Sequence, residues 1–307
     1  MKIGVTGGAG FIGSHLVDSL IRDGHRVAVI DNLSMGRLNQ VNDKAAFYLM
    51  DIRHDEIGKI FDLESFDVIY HLAAQMDIRV SVSDPVYDAR VNILGLLNLL
   101  QHCVRTRVRR FIFASTGGAI YGEQEAFPCD ESHPTRPVSP YGIAKLTSEK
   151  YLYYYLKEFG LEHVILRYAN VYGPRQNPRG EAGVVAIFAH KLLSGENPVI
   201  NGDGRQTRDY VFVDDVVNAN LSALHYSECE TFNIGTGNET DVNELFKQIN
   251  HLTGNQFSEN HGPAKPGEQK RSAIDGSKAS LKMQWTPRTD LAQGLKKTID
   301  YFKSWKP

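Results

Sequence analysis

The first thirteen residues constrain the fold of this 307-residue chain more than any other stretch. Lys2 to Thr6 predicts a short buried strand, Thr6-Gly7-Gly8-Ala9-Gly10-Phe11-Ile12-Gly13 a glycine-rich turn, and the amphipathic run Ser14 to Arg22 a helix. Backbone N–H groups at such a turn and the dipole of the helix face an anion, and glycine lets a pyrophosphate approach closely. The pattern therefore predicts a dinucleotide phosphate site.

The strand that follows the turn indicates which dinucleotide binds. Arg26 to Ile30 ends at Asp31, at the sequence distance from the glycines where a carboxylate meets the adenosine ribose. An acid there accepts hydrogen bonds from both ribose hydroxyls and repels a 2′-phosphate. We therefore expect NAD rather than NADP as the cofactor.

Apolar runs typical of strands recur along the chain, with helical segments between them. They are Lys2 to Thr6, Arg26 to Ile30, Phe47 to Met50, Asp67 to Leu72, Phe111 to Ser115 and His163 to Tyr168. Continuous apolar strands separated by helices indicate a parallel sheet covered on both faces, so we predict an α/β fold with a doubly wound Rossmann domain. Ligands bind at the carboxyl ends of such strands, where Asp51-Ile52, Ala73-Ala74-Gln75 and Ser115-Thr116 are found.

The regular alternation lapses after Tyr168, and two further strands are predicted at Tyr210 to Val213 and Thr231 to Ile234. This indicates a smaller second domain whose chain returns once to the large sheet. We expect an NAD-binding domain from residues 1–168 plus a returning segment of about 208–240. Residues 169–207 and 241–307 would form the smaller C-terminal α/β substrate-binding domain, and the two domains would share a fixed cleft.

Composition and charge argue against several classes of protein. The formal net charge of -2 provides no basic excess for nucleic acid. No apolar run approaches the roughly 18 to 20 residues that cross a bilayer, and the apolar stretch at the N-terminus is the strand and turn rather than a signal peptide. Cys103, Cys129 and Cys229 are far apart, and none is placed like a metal ligand. We therefore expect a cytoplasmic protein with reduced thiols, no metal site and no membrane partner.

Two predicted helices, near residues 86–104 and 141–159, are apolar nearly all round. Such a helix is buried on more than one side, so we expect one side to pack on the sheet and the other against a second subunit in a homodimer. Asn92 is polar within the first of these helices. It is either a satisfied core amide or a site residue beside the crevice.

Tyr141 and Lys145 form the strongest catalytic pattern, because residues four apart on a helix share a face. A free tyrosine has a pKa of roughly 10, so its phenolate form costs about 4 kcal/mol at pH 7. One positive charge about 4 Å away supplies a similar amount at an effective dielectric constant of about 20. Lys145 and a positively charged nicotinamide can thus make Tyr141 a base. The hydroxyl of Thr116 or Ser115 can hydrogen-bond the same substrate oxygen.

These motifs occur together in the order of a known family. They are Thr6-Gly7-x-x-Gly10-x-x-Gly13, Asp31-Asn32, Asp51-Ile52, His71-Leu72-Ala73-Ala74, the Ser-Thr segment before Tyr121-Gly122, Tyr141-x-x-x-Lys145 and Arg167-Tyr168-x-Asn170-x-Tyr172-Gly173-Pro174-Arg175. Nearly the whole chain resembles the extended short-chain dehydrogenase/reductases, and most closely the UDP-glucose 4-epimerases. The resemblance implies an NAD-dependent 4-epimerase of UDP-hexoses, in which the hydride leaves C4 and returns to the other face of a 4-keto sugar.

The resemblance also implies roles for individual residues, with Thr116, Tyr141 and Lys145 as the catalytic group. The residues implied to hold NAD are Gly7, Gly10, Phe11, Ile12, Gly13, Asp31, Asn32, Asp51, Ile52, Leu72, Ala73, Ala74, Gln75, Asn92, Ser115, Tyr141, Lys145 and Tyr168. The residues implied to hold the UDP-sugar are Thr116, Tyr141, Asn170, Val184, Val199, Asn201, Arg208, Glu268 and Ser272. Ser272 aligns with a position that limits the group on sugar C2, so its small side chain implies that N-acetyl sugars are also accepted.

Several alternatives stay open. Arg208 either chelates a phosphate or pairs with a neighbouring aspartate, for which the candidates are Asp209, Asp214 and Asp215. A UDP-uronic acid 4-epimerase, or a non-catalytic NAD-binding regulator, would share most of these motifs. Related dehydratases and decarboxylases place an acid after or close to Thr116, and Gly117 and Gly118 cannot serve in that role.

Overall fold

The computed structural model describes residues 1–178, 183–254, 257–264 and 269–304. The strands in these ranges are β1 (Lys2–Thr6), β2 (Arg26–Asp31), β3 (Ala46–Leu49), β4 (Val68–His71), β5 (Arg110–Thr116), β6 (Glu162–Tyr168), β7 (Asn170–Tyr172), β8 (Ile200–Asn201), β9 (Thr207–Phe212), β10 (Glu230–Ile234), β11 (Glu239–Asp241) and β12 (His261–Gly262). The helices are α1 (Phe11–Arg22), α2 (Ile57–Glu64), α3 (Ile78–Ser83), α4 (Pro85–Ala89), α5 (Gly95–Thr106), α6 (Gly117–Ile120), α7 (Pro140–Phe159), α8 (Val184–Leu193), α9 (Val213–His225), α10 (Val242–Leu252), α11 (Ser277–Met283) and α12 (Leu291–Ser304).

The large sheet has the strand order β10-β6-β5-β4-β1-β2-β3, and all of its strand pairs are parallel. Its central strands are buried apolar runs, because helices cover both faces and leave few positions for polar side chains. The predicted doubly wound parallel sheet is therefore confirmed. The strand order reverses between β1 and β4, which is the point where sheets of this kind bind ligands.

Two layers of helices enclose this sheet. On one face, apolar residues of α1 and α9 pack against the strands, as Leu16, Val17 and Val216 do in one continuous core. On the other face, α2, α5 and α7 contribute Phe61, Leu99 and Leu152, among others, to a second core. The strands are thus held rigidly from both sides, and their carboxyl ends form a fixed edge.

A smaller layer holds the three-stranded sheet β11-β9-β7, with α8, α10 and α12 in its core. Of the segment 208–240 that was predicted to return, α9 and β10 lie on the large sheet, whereas β9 pairs with β7 and β11. A short apolar strand has the same sequence pattern in either sheet. The sequence alone therefore does not show to which of the two sheets such a strand belongs. The division of the chain into two domains stays a proposal.

The helix predicted over Pro85 to Val104 is interrupted. A π-helical turn, Arg90–Leu94, separates α4 from α5. The second predicted helix is continuous and matches α7 to within one residue. Within the described ranges, no helix is long and apolar enough to cross a membrane.

His71 ends β4 and is buried between the rings of Phe111 and Phe113. Its Nδ1 and the Thr6 hydroxyl share a hydrogen bond of 2.7 Å. Burial, reinforced by the positive charge of Lys145, lowers the pKa of His71 to about 3. The ring is therefore neutral in the folded protein throughout the physiological range.

This burial predicts a pH dependence of stability. Between pH 6.5 and 3 the unfolded chain binds a proton that folded His71 does not, so the free energy of unfolding falls as the pH falls, by about 1.4 kcal/mol per pH unit from this group. Urea denaturation at pH 5.5 to 6.5 should give a shallower pH slope for His71→Asn than for the wild type. Ile69→Val in the same strand provides the control, because it alters the buried core without removing a titratable group, and it should keep the wild-type slope. Equal slopes for the wild type and His71→Asn would contradict the prediction.

Candidate active site

The glycine-rich turn has no room for side chains. Gly7 has a φ of +74°, and a Cβ there would lie 2.6 Å from the backbone nitrogen of Ala73 after β4. A Cβ on Gly13 would lie 2.1 Å from the Gly7 carbonyl oxygen. The turn, the first turn of α1 and the end of β4 therefore pack backbone against backbone at the point where the strand order reverses.

The N-terminus of α1 fits an anion. Gly10 is the N-cap and provides no side-chain hydrogen bond to the helix, and the first turn, which contains Phe11, Ile12 and Gly13, has no acidic residue. The N-cap and the first turn thus provide no side chain that neutralises the partial positive charge at this end of the helix, so an anionic ligand can do so. A dinucleotide pyrophosphate has the matching charge.

Asp31 is fixed at the edge of this turn. Its Oδ2 accepts a hydrogen bond of 3.0 Å from the N–H of Ala9, and its Oδ1 accepts one of 2.8 Å from that of Leu33. Burial raises the pKa of Asp31, and these two hydrogen bonds oppose the rise. Each carboxylate oxygen still has a lone pair available, so the side chain fits the predicted contact with ribose hydroxyls.

Asp51 lies beside this carboxylate at the end of β3. The amide of Asn32 donates to it at 2.8 Å, and the guanidinium of Arg53 donates to both of its oxygens. The Arg53 hydrogen bond is the main cause that holds the pKa of Asp51 well below its usual range. The side chain of Ile52 is buried in the core against Gly95. Asn32 and Asp51 are thus brought together at the predicted adenosine end.

The side chain of Asn92 is hydrogen-bonded to the loop that follows β4. This loop begins with Leu72-Ala73-Ala74. Its amide accepts from the Gln75 N–H at 2.9 Å and donates to the Gln75 carbonyl at 2.8 Å. The π-helical turn contains Asn92 and places this amide against the loop. Asn92 was predicted to be either a hydrogen-bonded core amide or a site residue. The structure shows a hydrogen-bonded amide, and its partner is the loop where the cofactor is expected. A direct contact between Asn92 and NAD stays a prediction.

Tyr141 lies in the first turn of α7. Ser139 caps this helix, since its hydroxyl accepts from the Gly142 N–H at 3.2 Å. A Cβ on Gly142 would lie 2.6 Å from the carbonyl oxygen of Ala119, so this glycine lets α7 pack closely on α6. The close packing sets Tyr141 beside the segment that carries Thr116.

Lys145 is buried one turn further along α7. Its Nζ donates to the Ala114 carbonyl at 2.8 Å and lies 5.9 Å from the centre of the Tyr141 ring. Burial lowers the pKa of Lys145 to about 8, and the negative charges of Asp88 and Glu149 oppose this. The ammonium is therefore still mainly protonated at pH 7. Its positive charge lies on the same face of α7 as the Tyr141 ring and therefore favours the phenolate form of Tyr141.

Thr116 at the end of β5 and Asn170 at the start of β7 face the same space. Thr116 Oγ1 accepts from the Ala119 N–H at 3.2 Å and thereby caps the short helix α6. A Cβ on Gly118 would lie 3.9 Å from Thr116 Oγ1 and 3.7 Å from Asn170 Oδ1. The absence of a side chain at Gly118 keeps this space open between the two polar groups.

Two predicted site residues direct their side chains into the interior. The Ser115 hydroxyl donates to Glu149 at 2.6 Å, and the Tyr168 hydroxyl is hydrogen-bonded to the side chain of Asn220. Of the two hydroxyls that were predicted as alternatives, that of Ser115 is thus engaged in the interior, which favours Thr116 as the catalytic one. Adjacent residues of a strand point to opposite faces, and this is why Ser115 and Thr116 differ. Main-chain contacts of Ser115 and Tyr168 with the cofactor stay predictions.

Arg208 lies on β9, two positions from Tyr210, which pairs with Asn170 of β7. The three aspartates that were the alternative partners of Arg208 are engaged elsewhere. Asp209 accepts from Thr236 and Gly237, Asp215 accepts from the backbone N–H groups of Arg288 and Thr289, and Asp214 lies 4.0 Å from the Lys297 ammonium. The guanidinium of Arg208 donates to the Thr207 carbonyl at 2.8 Å, and its phosphate role stays a prediction.

The remaining predicted substrate residues within the described ranges lie in several separate segments. Ser272 is buried in a segment whose next residue, Ala273, is hydrogen-bonded to Cys129 and Gln124. Val184 begins α8, Asn201 ends β8, and Val199, which precedes β8, is about half exposed. Glu268 lies outside the described residues. Contacts of Val184 and Val199 with the UDP-sugar stay predictions.

The sequence model of the NAD dependent epimerase/dehydratase family matches residues 3–235. The chain belongs to this family. This epimerase/dehydratase is 50% identical to the UDP-glucose 4-epimerase of Thermotoga maritima, solved with UDP-glucose, with a TM-score of 0.97 over 99% of each chain. It is 42% identical to the UDP-glucose 4-epimerase of Thermus thermophilus in complex with NAD, with a TM-score of 0.94 over 99% of each chain. It is also 42% identical to the UDP-glucose 4-epimerase of Mycolicibacterium smegmatis, over 99% of both proteins.

Membership of the NAD dependent epimerase/dehydratase family confirms the resemblance that the motifs indicated, and it confirms NAD as the cofactor. The glycine turn, the bare N-terminus of α1 and the fixed Asp31 carboxylate all fit that cofactor. Among the described residues, no group of three or more His, Cys, Asp or Glu side chains could hold a metal ion.

Sequence reasoning missed a buried polar network beneath the active site of this family member. The guanidinium of Arg167 donates to both oxygens of Glu149, at 3.0 and 2.6 Å, and to the Tyr121 hydroxyl at 2.9 Å. Tyr121 in turn donates to Asn233 on the edge strand β10. One signal was present in the sequence, because Glu149 follows Lys145 by four residues and so shares its helical face.

Proposed function

We propose that this protein is an NAD-dependent 4-epimerase of UDP-hexoses that interconverts UDP-galactose and UDP-glucose. One observation carries the proposal: Tyr141 begins a helix that packs on the Thr116 segment, with the Lys145 ammonium beside its ring. This pair follows a dinucleotide turn whose geometry accepts NAD. The names of the similar proteins from Thermotoga maritima and Mycolicibacterium smegmatis support the same activity.

Each catalytic side chain has a defined task in this proposal. Tyr141, as phenolate, takes the proton from the sugar 4-hydroxyl, and the Thr116 hydroxyl hydrogen-bonds the same oxygen. The Lys145 ammonium lowers the energy of the phenolate. Tyr141 returns the proton once the 4-keto sugar has presented its other face. When bound, NAD supplies the hydride acceptor and returns the same hydride, so no second substrate is required.

The activity is tested with purified protein and UDP-galactose, without added NAD. We expect UDP-glucose to accumulate to equilibrium, because the cofactor is retained and regenerated in each cycle. Chromatography of the nucleotide sugars measures the product. If no UDP-hexose or N-acetyl form is converted although NAD is bound, the proposal is wrong, and a UDP-uronic acid 4-epimerase or a non-catalytic NAD-binding regulator takes its place.

We propose further that UDP-N-acetylhexosamines are accepted beside the plain hexoses, because Ser272 is small and only 3% exposed. A tyrosine at this position would fill the space of an N-acetyl group. Ser272→Tyr should lower kcat/KM for UDP-N-acetylgalactosamine by about 100-fold or more, with a much smaller effect on UDP-galactose. Kinetics with both sugars measure the ratio.

The matched control for this substitution is Ser280→Tyr, at an exposed serine of α11. It should leave both activities unchanged. Equal losses for the two sugars in Ser272→Tyr would show that the residue does not select the substituent on C2.

We also propose a homodimer formed through α4, α5 and α7. These helices pack against one another, yet Val86 of α4 and Tyr153 and Tyr154 of α7 are exposed to solvent, as is Leu94 in the π-helical turn before α5. Large apolar side chains that are exposed on neighbouring helices are typical of a subunit interface. Sedimentation of a monomer at micromolar concentration would refute it.

Cys103 and Cys129 are buried free thiols, which supports the expected reducing, cytoplasmic compartment.

A further inference from the structure

Asp88 is a buried carboxylate to which the sequence assigned no role. It lies in α4, is 1% exposed, and its Oδ2 accepts hydrogen bonds from the side-chain amides of Gln75 at 2.9 Å and Asn92 at 3.1 Å. Its Oδ1 is also buried and has no hydrogen-bond partner among the described residues. A carboxylate in this setting is costly unless a positive charge lies nearby.

The surrounding contacts place Asp88 between the cofactor loop and the catalytic helix. Asn92 and Gln75 join it to the loop after β4. On the other side α4 packs on α7, and the Ser148 hydroxyl of α7 donates to the Asn92 carbonyl at 3.3 Å. Ser148 lies three residues after Lys145, so the Asp88 cluster borders the helical turn that carries the lysine.

Four other titratable groups lie near Lys145, and none of them supplies an unpaired negative charge beside it. They are Tyr141 and Glu149 on its own helix, His71 on β4 and, through Glu149, Arg167 on β6. The negative charge of Glu149 is matched by Arg167 at 2.6 Å, and buried His71 is neutral. Burial raises the pKa of Asp88, and the charge of Lys145 opposes that rise. Of the two anions that favour protonated Lys145, Glu149 is paired with Arg167, whereas Asp88 is held by the neutral amides of Gln75 and Asn92.

We propose that Asp88 is a positioning residue for catalysis, which keeps Lys145 protonated and thereby maintains the charge that makes Tyr141 a base. The same carboxylate fixes Asn92 and Gln75, so one buried group aligns the cofactor loop with the catalytic helix. Asp88 touches neither reacting atom. The role of Lys145 in turnover rests on the proposed epimerase function. The effect of Asp88 on the protonation of Lys145 does not depend on that function.

Asp88→Asn tests this inference with little change of shape. The asparagine oxygen can still accept from Gln75 and Asn92, but the negative charge is lost. Loss of that charge favours neutral Lys145, so the pKa of Lys145 should fall by about one pH unit or more. NMR titration of protein labelled with ¹³C at lysine Cε measures this directly, with Lys145→Met used to assign the signal.

Turnover provides a second readout. The alkaline limb of kcat should move to lower pH by the same amount, which lowers kcat about fivefold at pH 8, while KM and the content of bound NAD stay near the wild-type values. Asp84→Asn is the control, because this exposed residue lies one turn earlier and asparagine can still cap α4. It should change neither the titration nor the pH profile.

The outcomes separate this inference from the proposed function. An unchanged Lys145 titration in Asp88→Asn overturns the inference, whatever the effect on stability. Reduced stability with an unchanged pH profile would likewise show a merely structural role. A wild-type protein that converts no UDP-hexose would refute the epimerase proposal, and the NMR titration would still decide whether Asp88 sets the charge of Lys145.

Discussion

Tyr141→Phe is expected to lower kcat for the interconversion of UDP-galactose and UDP-glucose by about 10³-fold. The substitution removes only the phenol oxygen, which is the group that exchanges a proton with the sugar 4-hydroxyl, and general acid–base catalysis contributes about 10² to 10⁴ in rate. Thr116 and Lys145 remain, so substrate should still bind. Steady-state kinetics with UDP-galactose measure kcat and KM separately.

The same helix provides a matched control for Tyr141. Tyr153→Phe also removes one phenol oxygen from α7, but this side chain is 59% exposed. Its kcat should stay within about twofold of the wild type, because Tyr153 lies twelve residues further along α7, away from the site. A fall in kcat of less than tenfold in Tyr141→Phe, with NAD content intact, would remove Tyr141 from its proposed role as base.

Arg167→Met is expected to lower the free energy of unfolding by about 3 to 5 kcal/mol. The side chains of Arg167 and Glu149 are 8% and 6% exposed, and their closest nitrogen and oxygen atoms are 2.6 Å apart. Without Arg167 the Glu149 carboxylate stays buried with its charge uncompensated. The loss of a donor to Tyr121 adds to the cost. Urea denaturation monitored by circular dichroism measures the change.

An exposed ion pair of equal length is the control for this burial effect. Arg136 and Glu125 also approach to 2.6 Å, but their side chains are 70% and 63% exposed. Arg136→Met should cost less than about 1 kcal/mol, because water solvates the charge that remains. If both substitutions cost the same, burial is not the cause. The double variant Arg167→Met/Glu149→Leu should recover part of the loss, since it leaves no unpaired charge.

The cofactor half of the site could be predicted from the sequence because its signals are local. A glycine turn between a strand and a helix fixes its own geometry, and Asp31 follows at the end of the next strand. Tyr141 and Lys145 lie four apart on one helix, so their proximity also follows from local structure. These elements depend little on the rest of the chain.

Other features depend on packing between distant segments and could not be predicted in this way. The π-helical turn that directs Asn92 at Gln75 breaks a run that looks continuously helical in sequence. The pairing of β9 with β7 rather than with the large sheet depends on which edge is available. Asp88 and Arg167 are charged residues that the fold buries, and composition gives no sign of that burial.

The central claim is that NAD is a retained catalyst that takes a hydride from sugar C4 and returns the same hydride. UDP-galactose labelled with deuterium at C4 tests it in one measurement, with purified protein, no added NAD and mass spectrometry of the UDP-glucose formed. The account predicts that the product carries deuterium at C4. Product that has lost deuterium to the solvent, or no product from protein with bound NAD, would contradict it.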